Sequence, residues 1–514
     1  MKKPRSIFAH IFTVGAFTAL SRVLGLVREM LQSRLIGAGV EQSAFTLAFA
    51  IPNMARKLFG EGALTAAFIP VFKSQMEAGA VEKARDLARS VMTMTLLMLT
   101  AAVAMTFLSL ECAVAFRKEF ELSYRTLLTI RLVKTLLPYM IFICAAAFGM
   151  GVLNSLGRFK ASSFMPSLLN IVWIGSLAWI LFNPEMRFDQ RIHRVSMAIL
   201  FAGALQFAYM LWCMHKAQVT PRLSFSHWRD ESVKAVWRNT ALGAIGAGAV
   251  QINYMLDQVL AQYASEWAAG VIGYAERLMD LPLGVIAVAF GTVLLPTFAG
   301  MFAKEDYALA RKTLVKSIVR LMAFMIPSGV GMAVLAKEIT CVIYEGAAFD
   351  AVATVRVSRS LAMYSSGMAF FGFQKSLVPW FQAQGDMKTP LKISVWVVVA
   401  NAILNIMAVL LLPVEWRHVG LAASTVLCAF FSAAMLVHFA VLKNGSLGLL
   451  SSVKPIAKIL FASCIMGLAV YFVKPYLCQL RPIVSLVVLL FVGVGVYGVL
   501  VLPLLGMGAF RKER

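Results

Sequence analysis

Ser21-Arg-Val-Leu-Gly-Leu-Val-Arg-Glu29 lies inside an apolar run, Ile7 to Leu31, that is long enough to cross a bilayer. A charged side chain at the centre of a bilayer costs about 2.5–3.5 kcal/mol even on lenient insertion scales. A helix that bears Arg22, Arg28 and Glu29 must therefore turn these groups away from lipid. At about 100° per residue, Arg22 and Glu29 fall within about 20° of each other, and Arg28 sits about 120° from Arg22. Gly25 lies between the two arginines and would let the helix bend so that both reach one cavity. The stretch thus predicts membrane helices gathered around a polar interior.

Composition agrees. The chain has 514 residues, is 60% hydrophobic and has a mean hydropathy of +0.78. Its charged fraction of 14% falls well below the roughly 25% of a soluble domain. A net charge of +23 suggests nucleic acid at first sight. In a membrane protein, basic residues instead gather in cytoplasmic loops and meet anionic headgroups, so no nucleic-acid partner is expected. The seven cysteines are dispersed without a CxxC, and the six histidines lack ligand spacing, which points away from a disulfide framework and from zinc. No GK[ST] or H-E-x-x-H motif and no long polar insertion occurs, so no soluble catalytic domain is expected. Lys2, Lys3 and Arg5 resemble the start of a signal peptide, but the apolar run after them is long, carries arginines and lacks an A-x-A site. It reads as a retained helix.

Apolar windows predict about fourteen spans: 8–31, 42–70, 90–116, 127–155, 163–183, 194–214, 238–263, 268–300, 318–336, 353–377, 389–413, 417–441, 455–474 and 482–507. The alternate connections that include the N-terminus carry 27 Lys and Arg, against 13 on the opposite side. Both termini are therefore expected in the cytoplasm of a multi-pass protein. An internal echo divides the chain. Ala67-Phe-Ile-Pro-Val-Phe72 and Thr292-Val-Leu-Leu-Pro-Thr-Phe298 both close a span, and Pro70 to Arg85 repeats the spacing of Pro296 to Arg311. An offset of six spans keeps orientation, so the expected fold is all-α, with two parallel-repeat six-helix lobes and two further C-terminal helices. The lobes would be 1–216 and 235–442, joined by a cytoplasmic linker at 217–234, with the last two helices in 443–514.

Other charges recur where lipid should be. The second span carries Arg56, Lys57 and Glu61, with Lys57 and Glu61 four apart and able to pair. Pro52, Gly60 and Gly62 permit a bend there. The eighth span carries Glu276, Arg277 and Asp280, with Pro282 breaking the helix just beyond. Exposing all nine groups to lipid would cost roughly 27 kcal/mol, more than a fold's whole stability. They must line a hydrated interior, either as structural ion pairs or as an anion site whose arginines are held by acids. Arginine's planar fork suits phosphate oxygens. Asp257 in the seventh span, Asn401 and Asn405 in the eleventh and Thr425 in the twelfth offer oxygen ligands for a cation, or an interhelical hydrogen-bond cluster, which their spacing alone favours.

At these residues the chain resembles the MurJ (MviN) family, proposed lipid II flippases of the multidrug/oligosaccharidyl-lipid/polysaccharide exporter superfamily. The resemblance runs nearly end to end. It is carried by Ser21 to Glu29, Pro52-Asn, Phe59 to Ala63, Leu153-Asn with Arg158-Phe159, Glu276 to Pro282, Gly291 to Pro296, and Asp386-Met-Lys-Thr-Pro390. It implies a bacterial inner-membrane transporter that needs no covalent chemistry, acting in peptidoglycan synthesis, cell-wall biogenesis and cell shape. Its cargo would be lipid II, with membrane lipids and cell-wall synthesis machinery as partners. Arg22, Arg28, Arg56 and Arg277, supported by Glu61, would form a cationic central cavity for the diphosphate. Glu29, Lys57, Glu276 and Asp280 would be supporting charges, and the last two helices would shape a groove for the undecaprenyl tail. Some members bind sodium at positions like Asp257, Asn401, Asn405 and Thr425, which implies Na+ as a coupling ion. Two departures stand out: Ser43, where some members have an acid, and Asn405, where some sodium binders have a second carboxylate. Rival readings are an exporter of another polyprenyl-linked oligosaccharide or of small amphiphiles, and a membrane enzyme using Glu276 and Asp280.

Overall fold

A computed structural model of the chain describes residues 5–60, 62–116, 123–219, 224, 229–477 and 479–505. These form helices with no strand, apart from one antiparallel bridge between Gly346 and Phe349. They group into two compact units, residues 1–259 with Gly346–Phe349, and residues 260–345 with 350–514.

The first unit begins with α1 (Arg5–Ile36), α2 (Val40–Ala55) and α3 (Ala63–Glu77). It continues with α4 (Val81–Phe116), α5 (Tyr124–Ser155), α6 (Phe159–Leu181), α7 (Phe188–Lys216) and most of α8 (Glu231–Ala264). The window 42–70, read as one span, is broken in two. Pro52 lacks an N–H for the helical ladder, a π-helical turn follows at Arg56–Gly60, and α3 starts only at Ala63. At the centre stands α5, whose most apolar stretch is 78% buried, against 33% for α4, α6 and α7. Gly203 on α7 makes that packing close: a Cβ there would lie 2.4 Å from the Tyr139 ring of α5. Around them Phe45 and Phe49 of α2 meet Trp173 of α6 edge to face, both at 5.6 Å.

The unit boundary falls inside α8. The cause is packing. Ser232 accepts from Gln75 Nε2 at 3.1 Å, Gly243 lies against Ala63, and Tyr254 faces Lys57, so α8 is built onto α3 and the turn before it. The turn Gly346–Phe349 also belongs to this unit. Ala348 N–H donates to the Arg34 carbonyl at 3.2 Å, over Gly37, whose φ of 83° and lack of a side chain admit the Ala348 carbonyl.

The second unit holds α9 (Ala268–Pro282), α10 (Val288–Ala303), α11 (Tyr307–Val334) and the short α12 (Ala336–Tyr344). It goes on through α13 (Ala351–Ser366), α14 (Met368–Ala383), α15 (Lys388–Leu411) and α16 (Val414–Asn444) to α17 (Leu450–Val473) and α18 (Pro482–Leu505). The window 268–300 is broken as its counterpart is, with Pro282 closing α9 and a π-helical turn at Leu283–Ala287 before α10. The two π turns begin at Arg56 and Leu283, nearly the offset that separates Pro70 from Pro296. The window 353–377 is also split, at Gly367.

Among the described residues, nine helices are long and apolar enough to cross a membrane: α4 to α7, α11 and α15 to α18. Their outer faces carry exposed Leu97, Met105 and Leu108 on α4, Trp396 and Leu410 on α15, and Phe491 and Val494 on α18. Apolar surface of that extent is stable only against lipid.

Candidate functional site

In the first unit, the charged end of the opening stretch is built into the bundle. Arg28 pairs with the adjacent Glu29, and their side chains are only 14% and 11% exposed. The guanidinium also donates from Nη1 to Asn170 Oδ1 on α6 at 2.9 Å and lies 4.4 Å above the Trp173 ring. Asn170 in turn donates from Nδ2 to the Ser21 carbonyl at 3.0 Å, so one amide ties the two ends of the motif together. Burial makes this arrangement necessary, because a dry unpaired arginine or carboxylate costs several kcal/mol. Helical phase alone places Glu29 beside Arg22; in the folded unit it is Arg28 that takes Glu29, and Arg22 is exposed. Asn170 and Trp173 went unread in the sequence, where the one signal was a lone amide inside the span 163–183.

Arg56 opens the π turn and donates from Nη2 to Asn53 Oδ1 at 2.9 Å and from Nε at 3.3 Å. Lys57 is exposed, with its ammonium 5.4 Å from the Tyr254 ring of α8. Glu61, expected to pair with it, lies outside the described residues. Asp257 on α8 is half-buried and accepts from Asn253 Nδ2 at 3.2 Å.

In the second unit, Glu276 and Arg277 are half-buried on α9, and Asp280 is exposed. Glu276 Oε1 accepts from the Tyr364 hydroxyl of α13 at 3.3 Å. Tyr364 is a further residue the sequence reading passed over, as an ordinary aromatic in a span. Asn401 and Asn405 are both fully buried, and Asn405 Nδ2 donates to Asn401 Oδ1 at 2.8 Å. The amides therefore bond along α15 itself, one turn apart. Thr425 on α16 donates its hydroxyl to the Leu421 carbonyl at 3.2 Å, which leaves the oxygen's lone pairs to accept. Among the described residues no three His, Cys, Asp or Glu gather as a metal-ligand group. Two more arginines of this unit are held by tryptophans, Arg356 at 3.8 Å over Trp267 and Arg359 at 4.7 Å over Trp416.

Asp386, in the turn before α15, caps the helix by accepting from the Thr389 N–H at 3.0 Å and its hydroxyl at 2.8 Å. Lys443 Nζ of α16 adds a third bond at 3.0 Å. Burial raises the carboxyl's pKa, but the three donors outweigh it and bring Asp386 down to about 2. This Asp-x-x-Thr-Pro motif thus has a structural task.

The arrangement offers one largely buried arginine, Arg28, held by a carboxylate, an amide and an aromatic ring. Known proteins of the same pattern are transporters. The family described as "Lipid II flippase MurJ" matches residues 32–491. A probable lipid II flippase MurJ of Rickettsia prowazekii is 29% identical, over 92% of this chain and 91% of its own. That of Vibrio cholerae is 31% identical, over 82% and 81%. A solved lipid II flippase MurJ in an inward closed conformation superposes with a TM-score of 0.79 at 22% identity, covering 95% of this chain and 98% of that one. An inward-facing multidrug resistance transporter of the MATE family, MOP superfamily, superposes at 0.70 with 14% identity, over 85% and 98%. This chain belongs to the MurJ family of lipid II flippases, polytopic helical transporters of the bacterial inner membrane.

Proposed function

We propose that this protein moves lipid II, the lipid-linked peptidoglycan precursor, from the cytoplasmic to the periplasmic leaflet by alternating access. The observation that carries the reading is Arg28, a largely buried guanidinium on α1, positioned by Glu29, Asn170 and Trp173. A cation held so firmly inside a membrane protein is prepared for an anion that arrives dehydrated. In this reading Arg22, Arg28, Arg56 and Arg277 neutralise the diphosphate through charge-assisted bonds, with Glu61 in support. Glu29, Lys57, Glu276 and Asp280 keep the local charge balanced between loads. The prenyl tail stays in lipid beside the last two helices. With a negative interior, each negative charge moved outward across the full field gains about 2.3 kcal/mol per 100 mV, which biases direction without ATP.

Both termini face the cytoplasm in this proposal, as the basic connections require. Na+ at Asp257, Asn401, Asn405 and Thr425 would supply a second bias, and cell-wall synthases would take the product. The deciding experiment measures periplasmic-leaflet accessibility of lipid II in cells depleted of the protein and rescued with variants. Rescue is expected with the wild type and not with Arg28→Ala, Arg22→Ala or Arg277→Ala at equal membrane abundance. Full rescue by all three would reduce these arginines to structural ion pairs. Omitting sodium from the same assay tests the coupling ion separately.

A further inference from the structure

At the far end of the first unit from the expected periplasmic loops, α5, α6 and α7 close on a cavity of about 320 Å3. Three of its lining residues are Arg158, Lys160 and Lys216, and none is acidic. We propose that this cavity is a site for the phosphate of an anionic phospholipid, separate from the arginines assigned to transport.

The cations are held in place by the fold. α5 ends on Gly157, whose φ of 74° turns the chain back so that Arg158 N–H donates to the Leu153 carbonyl at 2.9 Å. The Arg158 side chain then donates from Nη1 to the Lys216 carbonyl at 3.1 Å, which ties the turn to the last residue of α7. That leaves most of the guanidinium's donors directed elsewhere. The Lys216 ammonium sits 3.7 Å over the Trp212 ring. α6 begins at Phe159 with no side chain capping its first N–H groups, so a helix N-terminus adds positive potential beside the cations.

The walls name the ligand's other half. Phe159 of the wall is 41% exposed, Trp212 beneath the Lys216 ammonium is 53% exposed, and both stand toward the ends of helices apolar enough to cross the membrane. Aromatic rings in that position mark the headgroup level of a bilayer. A group that is anionic at its head and apolar just beneath it matches both features. The volume lies at the low end of the range for ligand sites, about 300–1,000 Å3, which suits a glycerophosphate head.

The test uses the purified full-length protein, titrated with phosphatidylglycerol or phosphatidylcholine, with bound lipid counted by native mass spectrometry. Lys160→Gln with Lys216→Gln removes two charges and spares the backbone bond that Arg158 makes. Phosphatidylglycerol should bind the wild type more tightly than phosphatidylcholine. The double variant should weaken it about thirtyfold, each basic side chain at an anionic surface contributing about fivefold. Lys304→Gln with Lys312→Gln, on exposed positions of the second unit, should change nothing. Lys160→Arg with Lys216→Arg should retain binding, and a thermal melt of each variant reports folding. Equal affinity for the two lipids, retention by the Gln pair, or equal weakening by the control pair would overturn the proposal. Displacement of phosphatidylglycerol by millimolar inorganic phosphate would also overturn it, in favour of a free-phosphate site.

Discussion

Arg28 and Glu29 show how one residue can be both structural and functional. Removing Arg28 leaves a carboxylate that is 11% exposed without its charge partner, a change that costs about 3–5 kcal/mol in buried pairs. Arg28→Ala is therefore expected to lower the melting temperature as well as to abolish transport. The two effects separate in Arg28→Ala with Glu29→Gln, where the Glu29 charge is removed as well. Stability should largely recover there while lipid II transport stays absent; a double variant that transports normally would assign Arg28 to packing alone. Asn170→Ala should be milder, about 1–3 kcal/mol, because it removes the acceptor of the buried Arg28 guanidinium and the tie from α6 to the Ser21 carbonyl. At this scale the sequence disclosed which charged residues fall inside apolar runs. It did not disclose Asn170, Trp173 or Tyr364, because an amide or an aromatic in an apolar span has many ordinary uses and only its neighbours reveal this one.

Helices are joined here by close approach and by caps, and both can be tested. Gly203 gives α7 its contact with Tyr139, so Gly203→Leu would drive a side chain into the central α5 and cost about 1–3 kcal/mol, read as loss of folded protein in a detergent melt. The Asp386 cap is pH-sensitive in a definite direction. Its carboxyl titrates at about 2 in the folded protein, below an unfolded value near about 4. Its stabilisation is therefore complete above about pH 4 and fades as pH falls toward 2. The melting temperatures of wild type and Asp386→Asn should differ at pH 6 and converge only as pH falls below about 2; a constant gap would exclude the cap as the cause. The proline and glycine signals marked both breaks in the repeat, at Pro52 and Pro282, since a missing N–H is a local fact. They did not mark the π turns that follow, because that widening depends on what packs against the helix.

For the whole molecule, the count of basic residues makes a prediction about sidedness. Lys304→Cys should be labelled by an impermeant reagent only after the membrane is opened, and Glu185→Cys in intact spheroplasts; the reverse pattern would invert the topology. The sequence by itself determined the membrane class and the helical fold. Each of these follows from transfer energies and from backbone chemistry that act residue by residue. Tertiary structure alone decided that the Arg28–Glu29 pair takes Asn170 and Trp173 of α6, and that α8 is built onto the first unit. Those choices rest on contacts between residues as much as about 180 positions apart in the chain. Side-chain partners at such separations are set by how helices pack, and no local pattern encodes that.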